Sequence, residues 1–142
     1  MSVDETTDST GRHVANLLIG KMDGASSDAY TPNLISVKML EKTNFSTISR
    51  FVNDGLGLLI LLKLGKYKYY SVNFGIAAEK VILLVTDAAK YMLKAGDSLS
   101  VFYPNLIHVP CICHALHRTA EEIRLNFKQV DELIANTKKV IF

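Results

Sequence analysis

The sequence predicts an α/β domain with a mixed sheet: three strands in an antiparallel meander, then parallel strands joined by helical crossovers. Three observations carry this prediction. Apolar stretches separated by turn residues fill the chain up to Leu40, as in hairpin-connected strands. A continuous aliphatic run, Val81-Ile82-Leu83-Leu84-Val85, then stands directly before a helical stretch, as a parallel-sheet strand stands before its crossover. Last, a short strand ahead of Pro110 is followed by two stretches with apolar residues at helical spacing.

Residues 1–5 are the stub of a first strand, paired as a hairpin with a second strand over 13–22 through a turn at Gly11. Residues 23–32, rich in Gly, Ser, Asp and Ala, form a loop, and 34–40 form the third strand. Thr43 or Asn44 caps a helix whose one face carries Phe45, Ile48, Phe51 and Val52. That helix is expected to end within 53–57. Residues 58–73 have no clean period. The aliphatic run 81–85 is expected to be a strand buried on both faces. Thr86 and Asp87 end it, and a helix over 88–95 is stopped by Gly96. Residues 106–109 form the next strand, 111–127 a helix, and Val130, Leu133, Ile134 and Thr137 mark a last helix.

At 142 residues, 49% of them hydrophobic, the chain fits one domain with a real core. A formal net charge of +2 does not announce a nucleic-acid binder, so any such role must rest on local sites. The two cysteines, Cys111 and Cys113, are too close in sequence for a favourable mutual disulfide. With no secretory signal ahead of them, an intracellular, reducing location is expected. No apolar run approaches the roughly 20 residues that span a bilayer, so no membrane is expected as a partner. A chain that opens inside a strand and stops after a helix reads as a piece of a longer protein.

Two groups of residues could carry chemistry. Asp87 sits at the carboxyl end of a buried strand, where open α/β sheets gather ligands. It reads either as a helix N-cap or as a ligand. Asp4, Glu5 and Asp8 surround the first strand and its turn. If the first and fourth strands are neighbours, Asp4 faces Asp87, and a divalent cation would relieve their repulsion. The second group is Cys111, Cys113, His114 and His117. Zinc is not expected there, because one helix fans these side chains over several faces while structural zinc sites draw on separated elements. Cys111 and Cys113 are instead expected as small core residues. His117, Arg118 and Arg124 add positive charge that Glu121 and Glu122 offset. Lys66-Tyr67-Lys68-Tyr69-Tyr70 interleaves bases and aromatics as single-strand binders do.

Several segments read together resemble the hAT superfamily of transposases, domesticated relatives included. They are Ser2-Val3-Asp4-Glu5-Thr6-Thr7-Asp8, Leu40-Glu41-Lys42-Thr43-Asn44, and Leu83-Leu84-Val85-Thr86-Asp87-Ala88-Ala89. The last runs from His108-Val109-Pro110-Cys111-Ile112-Cys113-His114 through Ala115-Leu116-His117-Arg118 to Arg124. Residues 81–140 are also similar to sequences described as resembling CGG triplet repeat-binding protein. The likeness skips residues 58–70, which are expected to be a non-homologous insertion in an otherwise single partial domain over 1–142.

The resemblance implies an RNase H-like catalytic domain. It implies that Asp4 and Asp87 are catalytic acids binding Mg²⁺ or Mn²⁺, with Asp8 a second candidate on the first strand. It places Cys111 and His114 near the active site and DNA; His117, Arg118 and Arg124 are candidate DNA contacts by their own charge, with a solvated helix face as the favoured reading. The implied third acid, a Glu, lies beyond Phe142, after a large helical insertion. The implied partners are DNA and other transposase chains, in the nucleus, with no small-molecule cofactor. The expected function is a truncated transposase-derived domain, ancestrally cleaving and joining DNA, inactive alone without the third acid. The alternative is a non-catalytic, nuclear DNA-binding or transcription-regulating protein of the same ancestry.

Overall fold

The computed structural model describes residues 1–22, 32–63 and 76–141. Five strands and four helices follow in the order β1 (Ser2–Thr7), β2 (His13–Ile19), β3 (Asn33–Leu40), α1 (Phe45–Lys63), β4 (Leu83–Thr86), α2 (Lys90–Ser100), β5 (Ile107–Pro110), α3 (Ile112–Leu125) and α4 (Lys128–Ile141). The sheet order is β3-β2-β1-β4-β5. β2 runs antiparallel to both β1 and β3, while β1, β4 and β5 are parallel. This is the mixed α/β sheet expected from the sequence, in an RNase H-like strand order.

The hairpin turn between β1 and β2 is built by Asp8. Its carboxylate accepts from the Thr10 and Arg12 N–H groups at 2.8 and 2.9 Å and from Arg12 Nε at 2.7 Å. Gly11 takes φ +80°, which only glycine adopts without strain. These bonds hold the Asp8 carboxyl well below its ordinary range. Asp8 is thereby committed to the turn.

One face of the sheet carries the core. Alternate residues Ala15, Leu17 and Ile19 of β2, with Val3 of β1 and Leu84 of β4, pack with Ile48, Phe51, Val52, Leu56 and Leu59 of α1 and Met92, Ala95 and Leu99 of α2. The α1 stripe repeats at helical spacing. Asn44 caps that helix: its Oδ1 accepts from the Thr47 N–H at 3.0 Å, and Thr47 Oγ1 accepts from the Asn44 N–H at 3.2 Å.

Two helix ends differ from expectation, both at glycines. α1 runs through 53–57 to Lys63, and α2 runs through Gly96 to Ser100. Each glycine lies where the helix presses on a neighbour. A Cβ on Gly55 would enter the Leu17 side chain, and one on Gly96 would enter the His108 ring. Here the missing side chain permits close packing; it does not terminate the helix.

Two burial expectations are also corrected. β4 is buried on one face only: Leu84 and Thr86 lie in the core, while Leu83 and Val85 are half-buried on the other face. Cys111 is half-buried and Cys113 exposed, so neither is a core residue. α3 starts at the sheet margin and turns its side chains outward, which leaves Ile112, Leu116 and Ile123 exposed. Residues 23–31 of the expected loop, and all but the first part of the 58–70 segment with its Lys-Tyr run, lie outside the described residues. Among the described residues, no helix is long and apolar enough to cross a membrane.

Candidate functional site

β1 and β4 are adjacent and parallel, with Ser2 paired to Val85. Two residues further along each chain stand Asp4 and Asp87. The alternation of side chains therefore brings both acids to one end of the sheet at the junction of the two strands. Asp4 continues β1, whereas Asp87 follows the last residue of β4. The helix after it begins at Lys90 with Ala89 as its N-cap, so Asp87 is not the cap residue. Its Oδ1 accepts from the Ala89 N–H at 3.1 Å, which closes the turn into α2.

The Cys-x-x-His pair reaches the same place from α3. Cys111 is its N-cap, and the Cys111 N–H donates to the Thr86 carbonyl at 2.6 Å, tying the start of α3 to the end of β4. His114 Nε2 stands 3.7 Å from Asp4 Oδ1. The Cys111 thiol is held below its ordinary value, first by the backbone N–H of His114 and then by the His114 side chain. The His114 imidazole is pushed up by its bond to Cys111 and by the charges of Asp4, Cys111 and Asp87. Four of the residues singled out in the sequence, Asp4, Asp87, Cys111 and His114, thus gather at one end of the sheet.

The other three lie apart. His117 and Arg118 are exposed on α3, and His117 Nε2 is 3.4 Å from Glu121 Oε1. Arg124 is half-buried and ion-paired with Asp131 of α4 at 2.8 Å. It lines a shallow groove with Ile123, Phe127, Val130 and Ile134.

Two supporting groups were not legible in the sequence. Glu5 receives the Tyr91 hydroxyl at 2.8 Å and lies 2.7 Å from His13 Nδ1. It links β1, β2 and α2 beside the acids. Burial, the bond to Glu5 and the charges of Glu5, Asp87 and Asp4 push the Tyr91 phenol well above its ordinary value. The second group is the Thr86 hydroxyl with His108 Nε2, 2.8 Å apart. The only sequence signal for Tyr91 was its place one helical turn after Asp87.

Burial lowers the pKa of His108, partly opposed by the charge of Asp97. A depressed imidazole pKa favours the neutral ring in the folded state. The contribution to stability is therefore present above the ordinary histidine value and is lost as pH falls through the folded-state value. His114, raised and exposed, acts weakly in the opposite sense. Thermal melts between pH 7 and pH 5 should show the wild type losing Tm more steeply than His108→Gln; parallel curves would contradict this.

Asp4 and Asp87 offer the oxygen ligands that Mg²⁺ and Mn²⁺ prefer, and Mg²⁺ commonly uses one or two carboxylates while keeping several waters. Among the described residues, no three His, Cys, Asp or Glu side chains form a group able to hold a metal ion.

A family model described as a domain of unknown function, DUF659, matches residues 69–140, just over half of the chain. The chain belongs to this family. DUF659 is a domain of hAT-like, transposase-related proteins. The DUF659 span contains Asp87, Cys111, His114, His117, Arg118 and Arg124, and Asp4 stands ahead of it. No curated protein and no solved structure matches the chain.

Proposed function

We propose that this transposase-related domain carries the first two acids of a hAT-type, RNase H-like DNA-processing centre, Asp4 and Asp87, and that Mg²⁺ or Mn²⁺ is their cation. The observation supporting this reading is the placement of Asp4 within β1 and Asp87 just past the end of β4, its parallel neighbour, with the Cys111-His114 motif beside them. A divalent cation held there supplies charge neutralisation at a scissile phosphate and a more acidic bound water. The protein's own groups do the rest. Asp4 and Asp87 hold the cation, and His114 sets the charge beside Asp4. Exposed Arg118 is available to a phosphate backbone. The cleavage and strand-transfer reaction of this ancestry is proposed to need a third acid, a Glu, beside these two. DNA and further transposase chains are the proposed partners, and the nucleus the proposed location.

Calorimetric titration with Mn²⁺ tests the reading. Saturable binding at about millimolar concentration or tighter is expected, lost on Asp87→Ala and on Asp4→Ala. No binding at that concentration, with no effect of either substitution, overturns it. The non-catalytic DNA-binding alternative predicts another pattern: salt-dependent DNA binding that survives both aspartate substitutions and falls on Arg118→Ala or Arg124→Ala.

A further inference from the structure

Thr86, the last residue of β4, is 2% exposed and stands immediately before Asp87. Its carbonyl and its hydroxyl are both engaged. Its carbonyl accepts the Cys111 N–H at 2.6 Å. Its hydroxyl donates to the Asp87 main-chain carbonyl at 2.8 Å. A hydroxyl has one proton, so at 2.8 Å from His108 Nε2 it can only accept. His108 therefore carries its proton on Nε2 and is the donor. The ring is also confined from the far side, because it packs against Gly96 where any side chain would overlap it. His108 belongs to β5, and Thr86, through its carbonyl and hydroxyl, meets Cys111, Asp87 and His108 at one point.

From this arrangement we infer that His108 is a positioning residue for the acidic site: by donating to Thr86 it orients the hydroxyl that holds the Asp87 carbonyl, and so sets the turn that aims the Asp87 carboxylate. His108 touches neither acid. It acts through a single buried hydroxyl whose carbonyl neighbour also fixes Cys111, so its loss reaches both arms of the site. The inference rests on the proposed metal reading for one of its consequences and is independent of it for the other.

The test uses the full chain in a Cys113→Ser background, which leaves Cys111 as the sole thiol. Two readouts are followed well below the unfolding temperature of each variant: Mn²⁺ affinity by calorimetry and the rate of Cys111 alkylation by iodoacetamide. Residues that orient metal ligands typically change affinity by about 10- to 100-fold when replaced. His108→Leu is expected to weaken Mn²⁺ binding at least to the lower end of that range and to shift the alkylation rate severalfold. His108→Gln, which keeps a donor nitrogen at similar reach, is expected to restore both. Thr86→Val, nearly the same size without the hydroxyl, is expected to reproduce His108→Leu, with the double variant no worse than either single one. If His108→Leu does not fold, Thr86→Val decides. Wild-type affinity and alkylation rate in Thr86→Val, or failure of Gln to restore what Leu removes, overturns the inference. Absence of Mn²⁺ binding in the wild type defeats the metal reading, while the alkylation rates still decide the role of His108.

Discussion

Phe51→Ala is expected to destabilise the domain by about 3–5 kcal/mol. Phe51 is 2% exposed, on the core face of α1, and belongs to the largest fully buried side chains of the molecule. Its ring lies in the cluster where α1 meets the sheet and α2, with Ile48, Val52 and Leu56 on its own helix and Leu17 and Met92 from the other layers. Truncation removes the transfer free energy of a phenyl ring. It also opens a cavity that a sheet on one side and a helix on the other cannot both collapse to fill. A domain of this size has about 5–15 kcal/mol of stability in total, so the variant should unfold at much lower urea concentration. Equilibrium urea denaturation followed by circular dichroism measures it. A loss under about 1 kcal/mol, far below the usual cost of deleting a core ring, would mean that α1 does not pack as described.

Gly96→Val is the second large effect, and its cause is the opposite one. The new Cβ would be driven into the His108 ring, a rigid group that cannot swing aside as a flexible side chain would. Overpacking of this kind costs about 1–3 kcal/mol or more. The gain from replacing a mid-helix glycine is only a few tenths of a kcal/mol for valine, roughly. The same substitution in a His108→Ala background should cost much less, because the obstructing ring is gone. That non-additivity, read from urea midpoints of the four proteins, separates a local collision from a general loss of helix α2. Equal costs in the two backgrounds would contradict the packing described.

These two positions also illustrate what the sequence discloses and what it hides. The apolar stripe of α1 is a local pattern and was legible: Ile48, Phe51 and Val52 face the core. The role of Gly96 was hidden because a glycine that ends a helix and one that admits a neighbour look alike until the neighbour, here His108, is known. The one-sided burial of β4 was hidden for a similar reason. A run of Val, Ile and Leu fits a doubly covered strand, yet Leu83 and Val85 are only half-buried. The meeting of Asp4 and Asp87 was inferred from strand order, a topological argument that needs no contact information. The Thr86-His108 bond was out of reach, since nothing across a separation of 22 positions links a buried hydroxyl to that particular ring.

The position of β1 at the centre of the sheet carries a kinetic consequence. The β1-β2-β3 meander is built from neighbours in sequence and can form early. The β1–β4 seam, in contrast, must wait until two further strands and α1 have been passed, so its closure carries the entropy of a long loop. Asp4 belongs to the early part and Asp87 to the late one. The acids come together only as that seam closes, so a partly folded chain would expose each carboxylate separately. Their pairing thus reports the closure of that seam.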